Sequence, residues 1–353
     1  MPTPQPPFHA YLRTLLLCLL VGGALQAAGV PLGWMIGALL ASAWLAARRA
    51  AAVPRVARPG GLVVLGLGLG QTFTAPVLGA VAGAFPAILA GGLVSILAGV
   101  AVAPIYRRIA RSDARTAFFA AIPGGIMTMA VLAGRAGASV PAVTLAQSLR
   151  MGLVVLLYPP LVALAAGGAA DAAFTAVLPP IVPGGLGLLL AGGAAVALVG
   201  ERVGIANAAM LAPCLLAMAL SAGGVLPSAV PRWMVDAAQV AMGMSLGERF
   251  GREGLGGGPR RQALASIASA GALVLLLVVS GLGLGWLTGL PLIAVVLGLA
   301  PGGMPEMAVT AKALDLAVPL VLGFHLVRTV LCNLIVTPLW LLVKVVLMDK
   351  NSR

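Results

Sequence analysis

The sequence predicts an all-α integral membrane protein made of two inverted repeats, with about ten transmembrane helices and two further helical segments broken at Pro-Gly-Gly. Three observations predict it. Of the 353 residues, 61% are hydrophobic and 9% charged, and the mean hydropathy is +1.09, whereas soluble domains carry roughly 25% charged residues. Pro-Gly-Gly occurs once in each half inside an apolar run, at Pro123-Gly124-Gly125 and Pro301-Gly302-Gly303. Arginines crowd one set of loops in the first half and a different set in the second.

The apolar runs follow in order. The first half has them at about 12–28, 31–47, 60–79, 83–106, 116–134 and 140–167. The second has them at about 182–199, 204–221, 231–248, 262–287, 291–311 and 317–347. The first run, TLLLCLLVGGALQAAG, has the look of a signal peptide with a small-residue cleavage site. A first transmembrane helix is the better reading, because the region has a counterpart in the second half. The ends and loops are too short for a separate soluble domain, so one membrane domain is expected, with a first repeat at 1–170 and a second at 171–353. GGAADAAFTAVLPPIVPGG, near Gly167 to Val182, reads as the linker between them.

The duplication can be counted. Laying Pro123 on Pro301, a displacement of 178 positions, runs without a gap to Pro160 on Pro338. About 14 of those roughly 38 pairs are identical, where this composition gives about four by chance. Arg150 falls on Arg328 and Val140-Pro141 on Val318-Pro319. At a displacement of 177, Gly66 and Leu69-Gly70 fall on Gly243 and Leu246-Gly247, which puts Gln71 on Glu248. A weaker echo pairs Met35-Ile36 with Met210-Leu211.

The loops between the runs set the orientation. Arg48, Arg49, Arg55 and Arg58 follow the second run, and Arg107, Arg108, Arg111 and Arg115 follow the fourth, which marks cytoplasmic loops. The equivalent loops of the second half, 222–230 and 288–290, carry no charge, while Arg249, Arg252, Arg260 and Arg261 crowd a loop whose first-half equivalent has none. Such inversion needs an odd number of crossings per half. It follows if each Pro-Gly-Gly segment enters and returns as two half-helices of about nine residues, roughly 13 Å long, half of a ~30 Å hydrocarbon layer. A broken helix that crosses, with another run not spanning, is the alternative. In the re-entrant arrangement both termini are cytoplasmic, in a bacterial-type plasma (inner) membrane, and Arg232 and Lys312 remain outside as exceptions.

PGGIMTMAVLAGRAGASVPAVTLAQSLR and PGGMPEMAVTAKALDLAVPLVLGFHLVR, with PLGWMIGALLAS near the start, resemble the AbrB membrane-protein duplication family, also labelled ammonia monooxygenases or AbrB-type regulators. The resemblance covers nearly the whole chain. It implies an organisation similar to the secondary transporters that include cation/proton antiporters and bile-acid symporters, with inverted repeats around a central site. It also implies an acidic residue five positions after the proline of each Pro-Gly-Gly. Glu306 fits and Thr128 departs from that pattern.

The candidate site residues follow from the cost of polar groups in lipid. Non-helical backbone at membrane depth is tolerated only where protein or a water-filled cavity covers it, which singles out Gly124, Gly125, Gly302 and Gly303. Their free amides open the second half-helices, whose N-termini can hold an anion; a plain tight turn is the other reading. Glu306, beside Pro305 at a half-helix start, is a carboxylate inside a membrane segment and a candidate for H⁺ or Na⁺ coupling, or else a helix-start residue. Arg150 and Arg328 stand about eleven residues into long apolar runs, roughly 17 Å from their starts. Each needs a carboxylate, half-helix carbonyls or a bound anion as partner. Gln147 and His325, three positions earlier, share their helical faces.

Composition also excludes function classes. The net charge of +13 is spread over short loops rather than along a basic stripe with exposed aromatics, so no nucleic acid is expected as partner. Cys18, Cys214 and Cys332 stand in separate runs and read as small buried hydrophobes, with no metal site, no cofactor and no disulfide framework. The expected function is secondary transport of a small, anionic solute coupled to H⁺ or Na⁺, with no enzyme activity and the lipid bilayer as surroundings; a homo-oligomer is compatible. The alternative is a membrane regulator that alters gene expression indirectly. A monooxygenase is the weakest reading, since two distant histidines do not form a copper or iron site.

Overall fold

The computed structural model describes residues 7–165, 174, 176–205, 207–253 and 260–350, and only the backbone of 252, 253 and 344–350. Half of the expected linker at 167–182, the side chains of Arg252 and Lys350, and Arg353 lie outside the described residues. Among the described residues the elements are helices: α1 (Phe8–Ala27), α2 (Gly33–Ala47), α3 (Ala57–Gly70), α4 (Ala75–Gly83), α5 (Phe85–Ala110), α6 (Ala114–Ala121), α7 (Ile126–Arg135) and α8 (Val140–Ala165) come from the first half. The second half supplies α9 (Pro183–Val203), α10 (Ala208–Ala222), α11 (Arg232–Glu253), α12 (Arg260–Thr288), α13 (Leu292–Leu299), α14 (Met304–Ala313) and α15 (Val318–Lys350).

Every apolar run is found as one helix or as a broken pair. The Pro-Gly-Gly segments part α6 from α7 and α13 from α14, as the proline's missing N–H and the glycines' freedom require. A third break was not anticipated: α3 and α4 are bent by 88°. The hinge is Gln71–Thr74, where the Thr72 hydroxyl donates to Leu69 O at 2.7 Å and Pro76 starts the new helix. By length and composition α1, α5, α8, α9, α12 and α15 can each cross a membrane, six in all, or seven spans if α3 and α4 count as one. With 15 residues each, α2 and α10 reach only about 22 Å, and α11 carries Arg232, Asp236, Glu248 and Arg249.

The turns repeat as the motif does. Among the described residues the positive-φ positions fall into pairs. Gly29 (74°) matches Gly204 (81°), Leu32 (56°) matches Asn207 (56°), and Arg49 (55°) matches Gly224 (69°), each at a displacement of 175. Arg111 (52°) matches Gly289 (68°), and Gly137 (71°) matches Asp315 (51°), at the 178 of the Pro-Gly-Gly alignment. Left-handed backbone is unfavourable for any side chain bearing Cβ, so its recurrence at Leu32 and Arg111 reflects the turn that each half must make.

The chain divides into two compact units, and each draws on both halves. Unit 1 is Met1–Gly83, Pro159–Gly256 and Pro305–Leu320; unit 2 is Ala84–Tyr158, Gly257–Met304 and Val321–Arg353. Unit 1 shows why the halves interleave. A methyl group added at Gly66 or Gly70 of α3 would collide with the carbonyls of Met210 and Cys214 on α10. One at Gly243 or Gly247 of α11 would collide with the carbonyls of Met35 and Leu39 on α2. The third helix of each half thus packs backbone to backbone on the second helix of the other, and the matched glycines are what permit it. In unit 2, Gly99 of α5 gives Ile122 of the first break the same close approach. Phe118, Phe119 and Trp340 stack beside that break, with ring centroids 5.1 Å apart for Phe118–Phe119 and for Phe118–Trp340.

Candidate functional site

In unit 2 both breaks are held by side chains from the long helices that follow them. Arg150 of α8 donates from Nη1 to Ile122 O at 2.9 Å and from Nη2 to Gly124 O at 3.0 Å. Arg328 of α15 does the same 178 positions on, from Nη1 to Ala300 O at 2.6 Å and from Nη2 to Gly302 O at 2.9 Å. Gln147 Nε2 donates to Phe119 O at 2.8 Å, and His325 Nε2 to the matching Leu297 O at 3.2 Å. These carbonyls lie at the interruptions, where the regular intrahelical pairing runs out; Leu297 O also accepts the Ala300 N–H at 3.2 Å. Arg150 adds a bond without a twin: its Nε donates to Pro301 O at 2.9 Å, so one guanidinium holds both breaks together. Cys332 Sγ lies 3.6 Å from Pro123 O.

His325 is fixed in one tautomer by its partners. A carbonyl only accepts, so Nε2 carries the proton facing Leu297 O, and Nδ1 accepts from Arg328 Nη2 at 2.9 Å. Adding a proton to Nδ1 would break that bond and set two cations against each other. Each arginine spends three of the five N–H groups that a guanidinium offers on protein atoms.

Unit 1 holds Glu306, the third residue of α14. Its side chain is 1% exposed, and neither carboxylate oxygen has a hydrogen-bond partner. Its backbone carbonyl accepts from the Thr310 hydroxyl at 2.8 Å, and Arg58 is the cation that acts on its carboxyl. Three and seven residues on, Val309 and Ala313 carry the same helix face to a cavity of about 490 Å³. Gln71, Arg232, Asp236, Gln239, Lys312 and Asp315 supply its polar lining. Gln71, Gln239 and Val309 are buried and form its floor, while Arg232 and Asp315 are exposed at its rim. Lys312 Nζ donates to Gly68 O at 2.9 Å, and Gln239 Nε2 to Asp236 Oδ1 at 3.2 Å.

The expected site residues therefore fall into two groups. Gly124, Gln147, Arg150, Gly302, His325 and Arg328 belong to the cradle of the breaks in unit 2, with Gly303 just before α14 and Gly125 and Thr128 at the more open start of α7. Glu306 belongs to unit 1. Sequence reasoning passed over most of the cavity. Arg232 and Lys312 read there as exceptions to the loop charge rule. Those exceptions were the signal: both line the cavity. Among the described residues no three His, Cys, Asp or Glu side chains gather as metal ligands, and Cys18, Cys214 and Cys332 are buried free thiols.

The chain has recognisable relatives. A protein of Bacillus subtilis (strain 168) named YhjN is 27% identical over 353 aligned positions, which take in 90% of this chain and 89% of that one. A protein of Escherichia coli (strain K12) that carries the name of a regulator, AbrB, is 26% identical over 323 positions, 88% of this chain and 90% of that one. The family model described as transition state regulatory protein AbrB matches residues 34–344, a span that takes in both breaks, their arginines and the charged lining of the cavity. The chain belongs to the AbrB family.

Proposed function

We propose that the protein is a secondary transporter of a small solute, driven by an ion gradient, with Glu306 as the group that takes up and releases the coupling H⁺ or Na⁺. One observation carries this reading: a carboxylate 1% exposed with both oxygens unpartnered. An ionised carboxylate in that position costs several kcal/mol, so Glu306 holds a proton or a cation whenever it is closed off. It can release it only when water reaches it. A group that must be loaded to be buried is what alternating access couples to a gradient.

The matched breaks support the same reading in another way. Three donors of each guanidinium go to protein atoms, five of the six to carbonyls of the breaks, which supports a scaffold role for the breaks and a solute bound elsewhere. The two breaks, tied to each other through Arg150, offer a fixed point against which access can alternate. The inverted arginine pattern of the loops supports oppositely oriented halves in a bacterial-type inner membrane with both termini cytoplasmic, which reporter fusions at the loops would test. A regulator reading rests on the family's name alone; a transporter also changes gene expression when its solute is a signal. The deciding experiment is uptake into proteoliposomes under an imposed H⁺ or Na⁺ gradient. Glu306→Gln should fold and lose gradient-driven accumulation; unchanged accumulation would remove Glu306 from the mechanism.

A further inference from the structure

The cavity of unit 1 is not used by ion coupling as such, and its walls have an unusual balance. Two cations, Arg232 and Lys312, face two carboxylates, Asp236 and Asp315, around about 490 Å³, inside the roughly 300–1,000 Å³ of small-molecule sites. A lone anion entering it meets Asp236 and Asp315, and a lone cation meets Arg232 and Lys312. A solute with one charge of each sign finds a partner for both.

Two buried amides sharpen this. Gln71 is 0% exposed, and its Oε1 accepts the Val230 N–H at 2.9 Å, which fixes Nε2 as a donor with no partner. Gln239 is 6% exposed, and its Nε2 is spent on Asp236, which leaves Oε1 as an acceptor with no partner. Both line the cavity. Buried polar atoms are nearly always paired, so one free donor and one free acceptor on side chains that line the same cavity point to a ligand that supplies the complement. Lys312 keeps further N–H groups beyond the one given to Gly68.

We infer that this cavity binds the solute and that the solute is a small zwitterion of amino-acid size. Its carboxylate is met by Gln71 Nε2 and Lys312, and its ammonium by Asp236 and Gln239 Oε1. The cavity shares the α14 face with Glu306, so loading the ion site and filling the cavity act on one short helix. The transported role of this ligand rests on the transporter reading above; its binding rests on the cavity alone.

The test is isothermal titration of the purified protein with the common L-amino acids. Each one that binds is compared with its des-amino acid, its decarboxylated amine and glycerol (for alanine, propionate and ethylamine). Wild type should bind at least one amino acid saturably, and both singly charged analogues and glycerol at least about tenfold more weakly. Asp236→Asn, Lys312→Met and Gln71→Leu, each checked for folding by size-exclusion chromatography, should weaken it by about tenfold or more. The inference is overturned if no amino acid binds, if a singly charged analogue or glycerol binds as well, or if Asp236→Asn and Gln71→Leu both bind like wild type. Amino-acid binding without uptake under any gradient would sink the transporter reading and keep this site. Gradient-driven uptake of a singly charged solute, with no amino acid bound, would do the reverse.

Discussion

The two breaks are alike in scaffold and unlike in content. At both, an arginine donates to the carbonyls just before and just after the proline, and the residue three positions ahead of it donates to a carbonyl one turn earlier. Past the break they diverge. The first opens into α7, which lies in unit 2 with Met127 72% exposed; the second opens into α14, which from Pro305 lies in unit 1 with Glu306 1% exposed. What the halves share is therefore the means of interrupting a helix in an apolar setting. What they do not share, Glu306 for Thr128 and a polar cavity along α14, is where chemistry can differ between one half and the other.

The largest effect should come from removing the shared part. Arg150→Ala removes the side-chain donor from the carbonyls of Gly124 and Pro301, each a loss of about 1–3 kcal/mol when buried, and cuts the link between the breaks, while Ile122 O keeps Gln147 Nε2 and the Gly124 N–H. Arg328→Ala frees the carbonyls of Ala300 and Gly302 but leaves the two breaks joined, with His325 Nδ1 as a third atom that tolerates it better. Thermal unfolding in detergent should rank Arg150→Ala below Arg328→Ala and both well below wild type. Lysine should rescue neither fully, since a point charge cannot span carbonyls that a planar fork meets. Equal stability for both alanine variants would mean that the Arg150–Pro301 bond adds nothing.

Next comes the part that differs. Glu306→Gln should cut gradient-driven uptake by more than about tenfold with little change in unfolding temperature, because the amide is isosteric and the site is already buried. Thr128→Glu in that background should not restore uptake. Thr128 is only half-buried at the start of α7, so a carboxylate there faces no comparable need to be loaded. Restored uptake would mean that the two breaks are interchangeable after all.

How much of this was legible depended on the kind of signal. Pro-Gly-Gly states its consequence locally, since a proline and two glycines end a helix whatever surrounds them, and an arginine in an apolar run demands a partner. Both were found where the residues said. The α3–α4 bend at Gln71 has a weaker local signature, and its apolar run gave no reason to expect an 88° turn. The cavity could not be read at all from neighbours in sequence: Gln71, Asp236 and Lys312 come from three distant segments that meet only because glycines let α3, α10, α11 and α2 pack closely. Loop charge statistics treat Arg232 and Lys312 as errors in topology, when they are cations with a local task.

A smaller effect separates His325 from a proton-handling role. Its twin Gln147 makes the matching bond with an amide, so His325→Gln should cost under about 1 kcal/mol and leave the pH dependence of uptake where it is in wild type. His325→Leu should cost more, about 1–3 kcal/mol, because one N–H of Arg328 Nη2 loses its acceptor, while Leu297 O keeps only the Ala300 N–H. A shifted pH profile in His325→Gln would show that the histidine titrates during transport and would reopen the second half as a two-group proton path.

The smallest effect tests whether the shared turns are a property of backbone alone. Gly289 has a φ of 68°, and no heavy atom lies within 4 Å of where its Cβ would be, while its twin Arg111 holds a φ of 52° with a side chain. Gly289→Ala should therefore cost about 1–2 kcal/mol through left-handed backbone strain alone, and Arg111→Gly should recover part of a similar strain, reduced by the greater freedom of glycine in the unfolded chain. Both are read as opposite shifts in unfolding temperature. If Gly289→Ala is silent, the turn relaxes out of the left-handed region and the matched φ values reflect packing around the turns. If the shifts are opposite in sign, each half needs this turn for its own closure, and Arg111 is the place where the first half tolerates strain that the second avoids with glycine.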